Sequence, residues 1–265
     1  MRRTSVAVIA IALVGASACG SSAPASSAGS KATSTPIAAV LAASRTTSQA
    51  GTAKVALDVK SKAAGKAIDI TGAGAFRLDG SLGSITVTLN PGTGQPLTLE
   101  ERTVGGLIYL KAPPLGDNYY SLKADALVGT SLGQGTDPTV GLQLLRGATD
   151  VTVVGKEQIR GAQTTHYKGT YQLRKAVEAV GGEFAKTFAS QLATNGDAVV
   201  PFDAYVDGDG RLRKLVQVAT VVIQGNSVTS TTTTELYDFG TPVTVAAPPA
   251  DKVKDGTKLL KGLSG

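Results

Sequence analysis

The residues able to do covalent chemistry are few in this chain, and a thiol holds the most telling position. Cys19 is the only cysteine among 265 residues, and it directly follows Ala16-Ser17-Ala18. With no second thiol an internal disulfide is excluded. His166, the one histidine, lies in Thr164-Thr165-His166-Tyr167. Its count rules out a nitrogen-rich metal centre, and a strand histidine with an ordinary hydrogen bond is the expectation. Asp207-Gly208-Asp209-Gly210 begins like a calcium loop, but no acidic residue follows at the ligating distance, and Arg211, Arg213 and Lys214 would repel a cation. A tight hairpin turn accounts for it. Glu100 and Glu101 are neighbours on a strand and point to opposite faces. Gly74, Gly80 and Gly83 carry no dinucleotide fingerprint. The expectation is a protein that is not an enzyme, with no catalytic residue, no metal and no cofactor other than a covalent lipid.

That lipid is expected on Cys19. Arg2 and Arg3 form a positive start, Val6 to Val14 an apolar run, and Gly15 to Ala18 a small-residue cleavage region. The apolar run is about half the roughly 20 residues a membrane-spanning helix needs. With Cys19 next in line, the segment resembles a bacterial lipobox, in which the thiol is acylated, the chain is cut before it and the new amino terminus is acylated. Thr4-Ser5-Val6 does not continue a twin-arginine pattern. Residues 1–18 are therefore read as a lipoprotein signal, with the mature protein held on the extracytoplasmic side of the cell membrane.

Residues 19–36 are Ser, Ala, Gly and Thr with hardly an apolar anchor. Such a stretch cannot bury enough surface to fold and acts as a flexible tether, reaching roughly a few tens of ångströms. Residues 37–250 are read as a single domain, and the Lys-rich 251–265 as a flexible tail. The formal charge is +6, and with Arg2 and Arg3 removed the mature chain carries 24 basic against 20 acidic residues. Those charges are scattered, so nucleic acid is not an expected partner. Aromatic residues make up 5% and Trp is absent, so the core must be aliphatic.

The elements follow from periodicity. Thr35-Pro36 opens a helix with Ile37, Val40 and Leu41 on one face. From Thr52 the period changes to two, with Val55, Leu57 and Val59 alternating against Lys54, Asp58 and Lys60. Strands are expected at Ala67–Leu78, Leu82–Leu89, Leu97–Val104 and Leu107–Ala112, with Ile85, Val87 and Leu89 on one face, as an antiparallel meander with one apolar side. Asp137-Pro138 leads into a short helix with Asp137 as its cap. Strands are expected at Val151–Ile159 and Gln163–Tyr171. From Gln172 to Asn195, Leu173, Val177, Val180, Phe184, Phe188 and Leu192 form a helical stripe broken at Gly181-Gly182. Val199–Val206, Leu212–Ile223 and Val228–Phe239 close the set.

The order of these elements, with Asp137-Pro138, Val154-Gly155-Lys156-Glu157, His166-Tyr167, Val206 to Leu212 and Tyr237-Asp238-Phe239-Gly240-Thr241-Pro242-Val243, resembles the actinobacterial LppX/LprAFG lipoprotein family and, more broadly, LolA-like lipoprotein carriers. The resemblance implies an α+β fold in which a strongly curved antiparallel sheet, a half-barrel, packs on a few helices. It also implies an apolar cavity holding a lipid or glycolipid for movement across the cell envelope. Val55, Leu57, Ile85, Val87 and Leu89 from the sheet, with Val177, Val180, Phe184 and Phe188 from the helix, are the candidate lining. The alternative is an envelope sensor or scaffold that acts through a protein partner with no bound lipid.

Overall fold

Alternation of apolar and polar residues is carried through to a sheet of 12 strands in this computed structural model. Residues 34–63, 66–92, 94–124, 138–196, 198–223 and 225–257 are described. All fall in one compact unit, Ser34–Gly265, which contains every contact reported below. The expected leader, most of the tether, the Asp137 cap and residues 258–265 lie outside the described residues.

The strands are β1 (Thr52–Ala63), β2 (Lys66–Arg77), β3 (Leu82–Asn90), β4 (Leu97–Val104), β5 (Leu107–Lys111) and β6 (Tyr119–Lys123), then β7 (Ala148–Ile159), β8 (Ala162–Gln172), β9 (Val199–Asp207), β10 (Leu212–Ile223), β11 (Asn226–Tyr237) and β12 (Val253–Asp255). Their spatial order is β12-β6-β5-β4-β3-β2-β1-β11-β10-β9-β8-β7. Two antiparallel meanders therefore meet where β1 pairs with β11, Val55 opposite Leu236. Part of the tail expected to be flexible is instead strand β12, which pairs parallel with β6 from Val253 opposite Tyr119. Its main chain finds partners on an edge that Tyr119–Lys123 leaves open, which outweighs the local Lys content.

Close backbone approach on the inner face helps the sheet curve. A Cβ on Gly74 would lie 2.0 Å from the Ser84 carbonyl oxygen, and one on Gly83 would meet the Phe76 ring at 2.0 Å. Phe76 thus covers Gly83 across the β2–β3 pair. Register shifts at the ends of β7–β8 and β9–β10 add local twist.

Helices cover the inner side. In α1 (Pro36–Gln49) Pro36 sits in the first turn and Thr35 accepts the Ala38 N–H at 3.4 Å. Val40, Ala43, Ser44 and Thr47 form its buried stripe. Ser44 donates to the Leu142 carbonyl at 2.6 Å and so ties α1 to α2 (Pro138–Leu144). The long apolar stripe becomes α3 (Leu173–Val180), α4 (Gly182–Thr187) and α5 (Ala189–Asn195). Gly181 and Gly182 have φ of 69° and 58°, a region that favours glycine, so the expected break falls there. One large core joins α1, α2, α3 and Phe188 to β1–β3 and β8–β11, and a small second cluster holds Ile108, Leu110 and Leu122.

Candidate functional site

The inner face of the sheet is apolar in alternate positions and divides into two zones. In the first, directly beneath the helices, side chains are packed dry. Val55, Ile85, Val87, Val177 and Phe188 are each at most 2% exposed, and Leu57 is 7% exposed. These six candidate lining residues are in close contact with protein. The other three, Leu89, Val180 and Phe184, are half-buried. Phe184 and Phe188 meet as tilted rings with centroids 4.6 Å apart, which joins the two groups across the break between α4 and α5.

The second zone lies farther along the same strands. Ile70, Leu99 and Ala219 from the sheet, with Phe184, Ala185 and Leu192 from the helices, pack on the margin of the core and keep part of their surface uncovered. Polar groups face this zone too, since β11 turns Thr232 and Ser230 to the inner side opposite Val59 and Ser61. Ser61 and Ser230 share a hydrogen bond of 2.8 Å, and Gln217 donates to the Tyr171 hydroxyl at 2.7 Å. Burial pushes the Tyr171 phenol well above its usual range, opposed by the Gln217 contact. Glu101 is 1% exposed and stands opposite Ile85 on the inner face, while Glu100 on the outer face pairs with Arg102 at 2.6 Å.

On the other face of the sheet, His166 of β8 has more partners than one ordinary hydrogen bond. Its Nδ1 lies 3.1 Å from Glu157 Oε1 and its Nε2 lies 2.7 Å from Asp203 Oδ1. The ring stacks on Tyr205 at 4.3 Å. Burial, then Glu157 and Asp203, raise the Tyr205 phenol. The cluster joins β7, β8 and β9 away from the apolar face.

Asp207-Gly208-Asp209-Gly210 closes the β9–β10 hairpin, as expected. Asp207 accepts the N–H groups of Asp209 at 3.0 Å and Arg211 at 2.9 Å, and Arg211 also pairs with Asp209. Arginine therefore occupies the carboxylates, and no cluster suited to a metal ion is found among the described residues. One spacing does match a nucleophile motif, Gly129-Thr130-Ser131-Leu132-Gly133, and it lies outside the described residues.

No described helix is long and apolar enough to cross a membrane. Comparison with known proteins extends this geometry. A chain from Streptomyces coelicolor, named as a lipoprotein, is 28% identical over 245 residues, covering 82% of this chain and 73% of its own length. An uncharacterised Streptomyces griseus protein of 31.2 kDa is 27% identical over 215 residues, covering 69% and 67%. Among solved structures, LprF from Mycobacterium bovis overlays with a TM-score of 0.47 at 15% identity, covering 81% of this chain and 97% of that one. Mycobacterium tuberculosis LppX gives 0.44 at 18%, covering 78% and 98%. The model of one family matches residues 35–245, nearly the whole described unit, and the chain belongs to the LppX_LprAFG lipoprotein family.

Proposed function

We propose that this protein is a lipoprotein anchored through acylated Cys19 on the outer side of the cell membrane, and that it binds and carries a lipid or glycolipid on the concave face of its sheet. One observation carries the reading. Apolar alternation on the inner face continues past the zone packed beneath α1–α3, so that Ile70, Leu99, Ala219, Phe184 and Leu192 stay partly uncovered. A dry core would end its apolar pattern where its cover ends. A largely apolar concave face with hydrogen-bonding groups set into it has the make-up of a site for a hydrophobic ligand. Family membership supports the same reading.

The aliphatic composition suits alkyl chains, which need no aromatic stacking. Val180, Leu89 and Phe184 offer the ligand contact, and the six dry residues form the wall behind them. The test is Phe184→Trp, which adds volume at the uncovered margin. Uptake of a pyrene-labelled diacylglycerol from phosphatidylcholine vesicles is expected to fall several-fold while the far-UV circular dichroism is unchanged. Equal uptake by the folded variant overturns the assignment of this face. Anchoring is checked separately: Cys19→Ala is expected to release an intact soluble domain, and continued membrane retention contradicts acylation at Cys19.

A further inference from the structure

The sheet has a gap between β9 and the far half of β10. The β9–β10 ladder runs from Leu212 opposite Val206 to Gln217 opposite Phe202 and stops there. Next on β9 is Pro201, which has no N–H to offer to β10, although β9 stays paired with β8 through Thr170 opposite Pro201. The β10–β11 ladder meanwhile continues to Ile223 opposite Asn226. The far half of β10 is therefore paired on one side only, in the middle of a 12-stranded sheet.

One side chain stands in the gap. Asn195, the last residue of α5, accepts the Val222 N–H through Oδ1 at 2.9 Å and lies 3.5 Å from the Val222 carbonyl through Nδ2. The amide imitates the missing strand residue. On the outer surface the rim is apolar and exposed: Val199 is 59% exposed, Val222 45% and Val218 37%. Half of the large apolar residues exposed on the described surface thus gather here. On the inner side Ala219 lies between Val218 and Thr220 with its side chain on the opposite face, and Leu192 stands one helical turn before Asn195. Both belong to the half-buried margin of the core.

We propose that this gap is the port by which acyl chains pass between the outside and the concave face, with Asn195 as its latch. The proposal rests on lipid binding at that face. An apolar chain crossing a continuous sheet would have to break ladder hydrogen bonds, each costly to leave unmade. At this place the β9–β10 ladder has already stopped at Gln217 opposite Phe202, and the Asn195 amide must swing aside. The valine rim lowers the cost of the first step, when the chain end leaves its membrane or carrier.

The test uses residues Ser34–Gly265, which hold every contact described and no cysteine. The pair Asn195→Cys and Val222→Cys places two thiols across the gap. The measurement is transfer of pyrene-labelled diacylglycerol from the loaded protein to phosphatidylcholine vesicles. The oxidised variant is expected to transfer at least tenfold more slowly than wild type, and dithiothreitol is expected to restore the rate. Asn195→Ala, which removes the latch without a bridge, is expected to transfer several-fold faster with the equilibrium load unchanged. A cross-linked variant, its disulfide confirmed by mass, that transfers at the wild-type rate overturns the port while leaving lipid binding in place. A wild-type chain that takes up no probe overturns the binding reading itself, and the port falls with it.

Discussion

Phe184 and Phe188 differ by one turn of chain and touch each other, yet the structure assigns them different work. Phe188 is 0% exposed in the main core, and Phe184 keeps an uncovered side. Phe188→Ala removes a fully buried ring from a packed site and should cost about 3–5 kcal/mol. Phe184→Ala gives up only the half of its surface that was buried, about 1–2 kcal/mol by area. Both lose the ring–ring contact, about 0.5–1.5 kcal/mol, so that contribution cancels between them. The expected difference is about 1–4 kcal/mol, with the larger cost at Phe188. Urea unfolding followed by far-UV circular dichroism measures it, since the absence of Trp rules out the usual fluorescence probe. In the still-folded variants lipid uptake should follow the opposite order, with Phe184→Ala losing more. Equal unfolding costs, or a larger cost at Phe184, would refute the division of the inner face into a dry zone and an open zone.

Two further substitutions probe the supports of that face. Thr47, 0% exposed, donates to the Ala43 carbonyl at 2.6 Å and accepts the Leu212 N–H at 2.8 Å. Thr47→Val leaves a buried N–H without an acceptor and should cost about 1–3 kcal/mol, seen as a melting point lower by about 2–12 °C; Thr47→Ser should recover most of it, and an unchanged melting point for the valine variant contradicts the role. Tyr171 has its phenol raised by burial, so the fold favours the neutral form. Its contribution is fully present below about pH 10, the ordinary tyrosine value, and is lost as pH rises from there toward the higher folded value. Tyr171→Phe should therefore flatten the alkaline loss of stability above about pH 10, and an equal loss in both proteins counts against burial of that hydroxyl.

Periodicity carried much of the fold because it depends on local sequence alone. The 3.6-residue stripe of α1, the period-two runs of β1 and β3 and the Gly181-Gly182 break were all legible. The break at Phe188 was not, because no helix-breaking residue marks it; the chain turns there with Phe188 at φ −87° and ψ 0°. Strands β6 and β12 are short and take their order from pairing with each other and, for β6, with β5, which a single sequence does not reveal. For the site, alternation separates the inner face from the outer but says nothing of which inner residues lie under a helix. Val87 and Leu89 read alike in sequence, and only the packing of the helices makes the first dry and the second half-open. His166 shows the same limit. Its partners Glu157 and Asp203 come from the strands on either side, so their meeting depends on two registers. Pro201 lies inside the expected strand Val199–Val206, and its effect on pairing depends on which side β10 takes.

The central claim is that the concave face holds a lipid. The most direct measurement is mass spectrometry of organic extracts from residues Ser34–Gly265, secreted into the envelope of a Streptomyces host and purified without detergent. A stoichiometric acylated lipid, lost from the folded Phe184→Trp variant, is the expected result. A well-folded wild-type protein that yields no lipid would contradict it.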